Sequence, residues 1–380
     1  MQRCCRREIP CKAGRAGQAS RQDGGNGYEK RKHLGLYNAV HMGATLLSRR
    51  EMLLAAAVLP RGVVHAFGQV SSGDGEPLAQ IRQIEAQLGG ARLGVSALHL
   101  GNGRRVKYQA DEPYPMWSTY KIPIALSVLK QVQAGTERLD RMVTVDPRFF
   151  SSGSGILTDF FSHGALALSV RNLLELMIVV SDNTATAMLL ESVGGGAAVT
   201  ADLRGMGVTG IRVDLPNMQR AARLLPNYTL PPKEQWNAEL AGRVNAALGA
   251  VRPGTPAWDY AMKVLAEDPR DQGSPDGFVT LLQALYEHRA LGRAGEDVAL
   301  DIMRRCRGDA LRALLPRDVV VAHKPGGGPG SNNDVGLLEV PGGPVLAVAV
   351  MMRNSTLSGA ANERAIAMAS RVAFDALLRR

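Results

Sequence analysis

After the N-terminal region, residues 78–109 show first a helical and then a strand-like pattern of apolar and polar positions. Leu78 to Leu88 has the apolar spacing of an amphipathic helix, and Arg92 to Leu100 alternates as a strand. Gly101-Asn102-Gly103 is typical of a hairpin turn, and Arg105 to Gln109 follows as the returning strand. The pattern therefore predicts a helix followed by a β-hairpin.

The rest of the chain is helical first and strand-rich afterwards. From Ser118 onwards the spacing of apolar residues is mostly helical, most clearly at Val170 to Val180 and Thr184 to Val193. Near the end, strand-like segments and one closing helix are predicted at Val319 to His323, Val335 to Val340, Val345 to Met351 and about Ala361 to Leu378.

This order of elements predicts an α+β fold. The simplest packing joins both ends of the chain into one antiparallel sheet flanked by the terminal helices. Residues of about 117–300 then form an inserted all-helical lobe, and a crevice between the lobe and the sheet is a favoured place for a site. We expect one catalytic domain over residues 78–380.

One segment of the lobe departs from the helical pattern. Residues 215–266 are rich in proline and contain one short helical piece, about Asn237 to Leu248. Long irregular segments in compact domains are usually functional or mobile, so we expect an insertion here.

The N-terminal region has the features of an export signal. Ser48 to Ala66 contains the pair Arg49-Arg50, an apolar run too short to span a bilayer, and small residues at its end. Residues 42–66 resemble a twin-arginine signal, residues 67–77 a linker, and residues 1–41 a disordered or mis-assigned extension. The alternative is a chance Arg-Arg pair before a leucine-rich helix. We expect the mature protein to be periplasmic or secreted, with no membrane span.

Charge and cysteine content exclude several classes of protein. The net charge is +10, but residues 1–66 hold 12 Lys and Arg against 4 Asp and Glu, leaving 33 against 31 in the remainder. The body therefore has no footprint for nucleic acid. Cys306 is the single cysteine after the leader, so no internal disulfide is expected. No ligand spacing indicates a metal. We expect a monomer without metal or cofactor that acts on a small molecule.

Ser118 and Lys121 stand at the start of a predicted helix and carry the first chemical signal. Their spacing places both side chains on one face, where a lysine with a lowered pKa can take the proton of a serine nucleophile. Free N–H groups at a helix start can also hold an oxyanion. The alternative is that Ser118 only caps the helix and Lys121 is solvated. Ser127 and Lys130 repeat the spacing in the same helix, so the pattern alone is weak.

Two further motifs follow in order. Ser181-Asp182-Asn183 lies between two predicted helices, and Lys324-Pro325-Gly326 ends a predicted strand. Together with Ser118-x-x-Lys121, this order resembles class A β-lactamases and penicillin-binding proteins, whose third motif is Lys-Thr-Gly. Segments such as Gly153 to Leu157 and Asn332 to Leu338 are similar to that family too, and the resemblance extends from about Leu78 to the C-terminus. It implies a β-lactamase-like fold.

The resemblance also implies catalytic roles. Ser118 would be the acylated nucleophile and Lys121 its base. Ser181 would relay a proton to the leaving nitrogen, and Lys324 would attract a substrate carboxylate and polarise Ser181.

Positioning roles follow from the same resemblance. Asn183 would orient Lys121 and the substrate, the N–H of Gly327 would complete the oxyanion hole with that of Ser118, and Gly326 and Tyr120 would line the substrate. Asp182 would cap a helix. Arg270 and Asp271 would form the ion-paired base of the neighbouring loop.

The sequence departs from the family in its deacylation machinery. Class A enzymes activate water with a loop glutamate. Alignment forward from Ser181-Asp182-Asn183 places Asn217 at that position, whose amide is no base, whereas alignment backward from Asp268 to Asp271 places Trp258 there, next to Asp259. Glu234, Glu239 and Asp259 of the insertion are candidate replacements, with Glu234 preferred, although a solvated surface acid is the better explanation of each. Pro325 also removes a hydroxyl and an N–H at the substrate-facing strand.

Three functions remain open from the sequence. The first is an exported serine hydrolase that opens β-lactams through an acyl-enzyme on Ser118. The second is a peptidoglycan peptidase or esterase-type acyl-transfer enzyme, and the third is a penicillin-binding sensor that is acylated once.

Overall fold

The computed structural model describes residues 75–151, 153–161 and 165–379. The predicted N-terminal extension, the export signal and most of the predicted linker lie outside these residues. No helix in the described ranges is both long enough and apolar enough to cross a membrane.

Helices are the commonest elements of the described chain. In chain order they are α1 (Gly75–Ala86), α2 (Lys121–Gln133), α3 (Leu157–Phe160), α4 (Val170–Val179), α5 (Asn183–Ser192), α6 (Gly195–Gly205), α7 (Asn217–Ala222), α8 (Ala238–Gly249), α9 (Pro256–Glu267), α10 (Pro275–Tyr286), α11 (Arg293–Arg304) and α12 (Gly359–Leu378). Short 3₁₀ turns occur at Trp117–Tyr120, Pro147–Phe149 and Lys233–Gln235.

The strands form one large sheet and two short pairs. They are β1 (Arg92–His99), β2 (Arg105–Tyr108), β3 (Tyr114–Pro115), β4 (Met142–Thr144), β5 (Ala167–Ser169), β6 (Gln272–Gly273), β7 (Val320–Gly328), β8 (Ser331–Glu339) and β9 (Val345–Arg353). The large sheet has the order β2-β1-β9-β8-β7 with antiparallel neighbours. The predicted α+β architecture, in which both chain ends build one sheet, is confirmed.

Apolar side chains on the two faces of the sheet belong to different cores. One face packs on the terminal helices α1 and α12 through residues such as Ile81, Val348 and Phe374. The other face joins the helical lobe through residues such as Leu337 and Phe278. Strand β9 lies in the middle of the sheet, between β1 and β8, and its side chains are buried on both faces.

Several boundaries differ from the sequence prediction. Helix α1 begins at Gly75, inside the predicted linker. Pro77 is tolerated in its first turn, because backbone N–H groups there have no acceptor within the helix. Strand β7 extends to Gly328, well beyond His323, and β8 begins at Ser331 rather than Val335. The strand was predicted to end near His323 and the Lys324-Pro325-Gly326 motif, but pairing with β8 continues through Pro325 to Gly328.

The insertion is more ordered than its prolines suggest. Three helices, α7, α8 and α9, pack around a separate apolar core that includes Leu240, Val244 and Trp258. Thr255 caps α9 and Pro256 occupies its first turn, so the proline there starts a helix. The insertion is therefore a small layer of helices, which lies beside the C-terminal end of β7 and contacts Gly330 through Trp258 and Met262.

Candidate active site

Ser118 lies in the 3₁₀ turn that leads into α2, and its side chain caps neither helix. The residues at the two N-cap positions are Met116 and Tyr120, and no side chain accepts a capping hydrogen bond there. The preceding residue, Trp117, has φ of 48°, in the left-handed region that favours glycine. The backbone is thus bent next to Ser118, and the capping explanation for Ser118 does not hold.

Lys121 is fully buried, which excludes the solvated alternative. Its Nζ lies 2.6 Å from the Ser181 carbonyl oxygen, 3.0 Å from Ser181 Oγ and 2.8 Å from Asn183 Oδ1. Burial, followed by the nearby positive charge of Lys324, lowers the pKa of Lys121 well below its ordinary value. A lysine in this state can accept a proton.

The loop before α5 presents Ser181 and Asn183 to Lys121. Ser181 has φ of 60°, and Asp182 caps the helix by accepting from Ala185 N at 2.8 Å. The second carboxylate oxygen of Asp182 accepts from Ile156 N and Leu157 N at 2.7 and 2.8 Å. Asp182 therefore joins two loops and holds its neighbours in place.

Strand β7 forms the opposite wall and approaches the nucleophile closely. A Cβ on Gly326 would lie 2.8 Å from Ser118 N and 2.8 Å from the Met116 carbonyl oxygen. Lys324 is also buried, and burial lowers its pKa. The close contact requires glycine at 326 and places β7 against the turn of Ser118.

Pro325 determines which way the N–H groups of β7 point. The strand lies at the sheet edge and pairs with β8, with Pro325 opposite Asp334 and Gly327 opposite Asn332. Proline has no N–H to donate, so its nitrogen is tolerated where it faces away from the neighbouring strand. Because N–H groups alternate along a strand, Gly327 also directs its N–H away from β8. An N–H directed in this way is what the predicted oxyanion hole needs from Gly327.

A cleft of about 590 Å³ opens between these elements. Most of the residues predicted for the site line it, namely Ser118, Ser181, Asn183, Lys324, Gly326 and Gly327. Tyr120 is placed differently: it is 1% exposed, its hydroxyl donates to Asn217 Oδ1, and Arg220 lies 4.0 Å above its ring. Burial raises the pKa of Tyr120 to about 12, so its hydroxyl stays a donor.

The acids suggested for deacylation are not in the cleft. Glu234 and Asp259 are exposed, on the 3₁₀ turn at Lys233–Gln235 and on α9, and neither lines the cavity. Asn217 does line it, and its Nδ2 donates to the Asn183 carbonyl at 3.2 Å. The carboxyl groups among the described lining residues are those of Asp309 and Glu363. Burial and the charges of Asp334 and Asp309 raise the pKa of Glu363.

The ion pairs at the base of the insertion also differ from the prediction. Asp271 lies 3.8 Å from Arg220 and 3.7 Å from Arg223, whereas Arg270 pairs with Asp268 at 2.7 Å. Arg220 additionally donates to the Trp117 carbonyl at 3.2 Å. Sequence reasoning missed Arg220, because an arginine in a helical segment carries no local signal of its partners.

Metal chemistry has no evident site in this region. Within residues 75–151, 153–161 and 165–379, no group of three or more His, Cys, Asp and Glu side chains could hold a metal ion.

Comparison with known proteins agrees with this arrangement. Residues 77–377 match the beta-lactamase enzyme family. A beta-lactamase of Streptomyces albus G is 30% identical over 361 residues, covering 89% of this chain and 100% of the relative. A beta-lactamase of Streptomyces fradiae is 30% identical over 329 residues, covering 85% and 92%.

Solved structures show the same fold. An ancestral class A beta-lactamase, reconstructed for the last common ancestor of Gram-negative bacteria, is 32% identical with a TM-score of 0.62, covering 79% of this chain and 99% of its own. A beta-lactamase from Chitinophaga pinensis is 25% identical with a TM-score of 0.64, covering 80% and 99%.

Fold and site together define a serine hydrolase of the β-lactamase type. The chain belongs to the beta-lactamase enzyme family, and the predicted class A-like resemblance is confirmed.

Proposed function

We propose that this enzyme opens β-lactams by forming an acyl-enzyme on Ser118. The proposal rests on the buried amine of Lys121. This residue lies one turn after Ser118, and its Nζ contacts Ser181 and Asn183. A desolvated lysine with a lowered pKa can act as the base for a serine hydroxyl, which is a poor nucleophile without one. The β-lactamase relatives support the substrate class.

The acylation step uses groups on both walls of the cleft. Lys121 takes the Ser118 proton as the hydroxyl oxygen attacks the lactam carbonyl, and the N–H groups of Ser118 and Gly327 receive the developing oxyanion. Ser181 then donates its hydroxyl proton to the lactam nitrogen as the C–N bond breaks, and it receives in exchange the proton that Lys121 took from Ser118. Lys324 supplies positive charge for a substrate carboxylate, and Asn183 positions Lys121 and the substrate.

Deacylation is proposed to be atypical and slow. Asn217 occupies the part of the cleft next to Asn183, and an amide cannot take a proton from water. This observation also favours a second candidate, a penicillin-binding sensor that is acylated once. The altered Lys-Pro-Gly motif favours a third candidate function, an acyl-transfer enzyme that acts on a peptidoglycan peptide or an ester.

The test is a time course of intact mass after the mature protein is mixed with excess benzylpenicillin. A transient adduct with continuing loss of penicillin supports hydrolysis, whereas a persistent adduct supports the sensor. Turnover of a peptide or ester without any penicilloyl adduct would favour the acyl-transfer enzyme. Ser118→Ala is the control, and an adduct on that variant would reject Ser118 as the nucleophile.

Export is proposed on the sequence of residues 42–66 alone, with Arg49 and Arg50 as its key pair. Replacing both arginines by lysine should keep the protein out of the periplasmic or secreted fraction. Unchanged export of that variant would reject a twin-arginine route. We also propose that the mature enzyme is a monomer, which light scattering measures directly.

A further inference from the structure

Arg220 on α7 connects the insertion to the turn that contains Ser118. The residue is 8% exposed, and its Nη2 donates to the Trp117 carbonyl at 3.2 Å. Its Cζ lies 4.0 Å from the centre of the Tyr120 ring, where a guanidinium is attracted by the negative face of the aromatic system. Trp117 and Tyr120 are the first and last residues of the 3₁₀ turn. One side chain of the insertion therefore contacts both ends of the turn.

The side chain of Arg220 is itself held in place. Its Nε lies 3.8 Å from Oδ2 of Asp271, a carboxylate that is 1% exposed. The other oxygen of Asp271 accepts from Asp214 N and Leu215 N at 3.0 and 3.2 Å. Because the guanidinium is a rigid plane between this carboxylate and the Tyr120 ring, it has little freedom to turn away. Arg220 is therefore oriented before a substrate arrives.

The backbone that Arg220 contacts is strained. Trp117 has φ of 48°, and a non-glycine residue in this region costs about 1–3 kcal/mol, so its surroundings must hold it there. Asn333 holds the turn from β8, where its Nδ2 donates to the Pro115 carbonyl at 2.7 Å and to the Met116 carbonyl at 3.2 Å. Arg220 holds the next carbonyl with a charge-assisted hydrogen bond, which is about twice as strong as a neutral one.

The Trp117 carbonyl belongs to the same peptide group as the Ser118 N–H. A peptide group is planar, so the direction of the carbonyl also fixes the direction of the N–H. Ser118 N lies next to β7, because a Cβ on Gly326 would be 2.8 Å from it, whereas the carbonyl contacts Arg220. A hydrogen bond at the carbonyl also polarises the peptide group and strengthens its N–H as a donor.

We propose that Arg220 is a positioning residue of the oxyanion hole, which holds the Trp117 carbonyl and so directs the Ser118 N–H at the substrate carbonyl oxygen. The proposal rests on acylation of Ser118 and extends that function to a residue of the insertion. Arg220 touches none of the reacting atoms, and its ion pair with Asp271 serves only to anchor the side chain.

The test separates the binding of benzylpenicillin from the acylation step. Adduct formation is followed by intact mass over a range of penicillin concentrations, which yields the dissociation constant of the first complex and the limiting rate of acylation. Arg220→Met is compared with wild type, and thermal unfolding establishes that each variant is folded. Arg223→Met is the matched control, because Arg223 lies 3.7 Å from the same Asp271 but donates to Asp268 at 3.0 Å and to the Arg270 carbonyl at 3.2 Å.

We expect Arg220→Met to lower the limiting rate by about tenfold to a hundredfold, because a misdirected oxyanion donor loses much of its effect. The dissociation constant should change by less than about twofold, and Arg223→Met should lower the limiting rate by less than about threefold. Equal losses for the two arginines would make Arg220 an anchor of the insertion only. A loss confined to the dissociation constant would assign Arg220 to substrate binding, and either result would overturn the proposal.

Arg220→Lys separates geometry from charge, and it is the second variant if Arg220→Met does not fold. After burial and the charge of Lys324, the charge of Arg220 adds to the lowering of the Lys121 pKa, and a lysine keeps that charge. An ammonium group cannot serve the Trp117 carbonyl and the Tyr120 ring as one plane, so the limiting rate should still fall at least about threefold. A wild-type rate in Arg220→Lys would overturn the positioning role.

A crystal structure of Arg220→Lys or Arg220→Met without ligand tests the orientation independently of penicillin. The Trp117–Ser118 peptide should be rotated, with the Ser118 N–H turned away from β7, and an unmoved peptide would overturn the proposal even if penicillin acylates the enzyme. A rotated peptide in a protein whose wild type forms no penicilloyl adduct would support the orienting contact and reject the proposed function instead.

Discussion

Replacing Gly326 by alanine tests the geometry of the nucleophile and β7 together. The added Cβ would meet Ser118 N and the Met116 carbonyl oxygen at 2.8 Å, and Thr119 N at 2.9 Å. All three are backbone atoms, so no flexible side chain can move away to relieve the contact.

The size of the effect follows from the distances. An ordinary contact begins near 3.4 Å, so β7 and the Ser118 turn must separate by about 0.6 Å. This displaces the N–H groups of Ser118 and Gly327 relative to each other. A misplacement near 1 Å, or loss of one oxyanion donor, costs about a hundredfold in rate. We therefore expect acylation to fall by about a hundredfold, which corresponds to about 2.7 kcal/mol in the barrier.

The assay is the acylation rate with benzylpenicillin, accompanied by thermal unfolding to establish that the variant is folded. Gly327→Ala is the comparison, because its Cβ would meet Asn332 Nδ2 at 3.5 Å, an ordinary contact, and its N–H remains. We expect that variant to lose less than about tenfold. Equal rates for the two variants, with both folded, would refute the close-contact argument.

Three further predictions concern single residues of the network. Lys121→Met should abolish acylation yet raise the melting temperature, because a buried amine is replaced by an apolar chain of similar size. In the wild type, the pKa of Lys121 is lower in the folded than in the unfolded protein, so the unfolded chain binds more protons. The free energy of unfolding should therefore rise with pH up to the ordinary lysine pKa near 10.5. Asp182→Ala removes a cap and two loop hydrogen bonds and should cost about 2–5 kcal/mol in urea unfolding; a loss below about 1 kcal/mol would contradict its joining role. Asn217→Glu should shorten the lifetime of the acyl-enzyme at least about tenfold by adding a base, whereas Asn217→Gln, of the same length, should not.

The sequence was sufficient for the architecture and for six of the residues that line the cleft. The period-3.6 pattern locates α4, because burial of one side of a helix leaves a repeating trace. Strand β9 is found instead as a short apolar run, since both of its faces are buried. The three motifs identify Ser118, Ser181 and Lys324 because each stands in a fixed local structure. These patterns and motifs depend on residues that are close together in the chain, so the sequence alone is enough to predict them.

Long-range contacts left no such trace. The burial of Tyr120 under Arg220 depends on residues about a hundred positions apart. The exposure of Glu234 and Asp259 depends on how the insertion folds around its own core. The predicted end of β7 was also too early, because the register with β8 continues the strand through Pro325 and three glycines. Position in the sheet, rather than residue preference, decides that segment.

Pro325 has a consequence for the behaviour of the sheet as a whole. An open sheet edge offers unpaired backbone groups on which another chain can add a strand, and this is a common route to aggregation. At one edge β2 is only four residues long, with the charged and exposed Arg105 and Lys107. At the other edge Pro325 interrupts the row of donors along β7. The residue that removes a hydroxyl from the cleft thus also protects this edge from strand addition by another molecule.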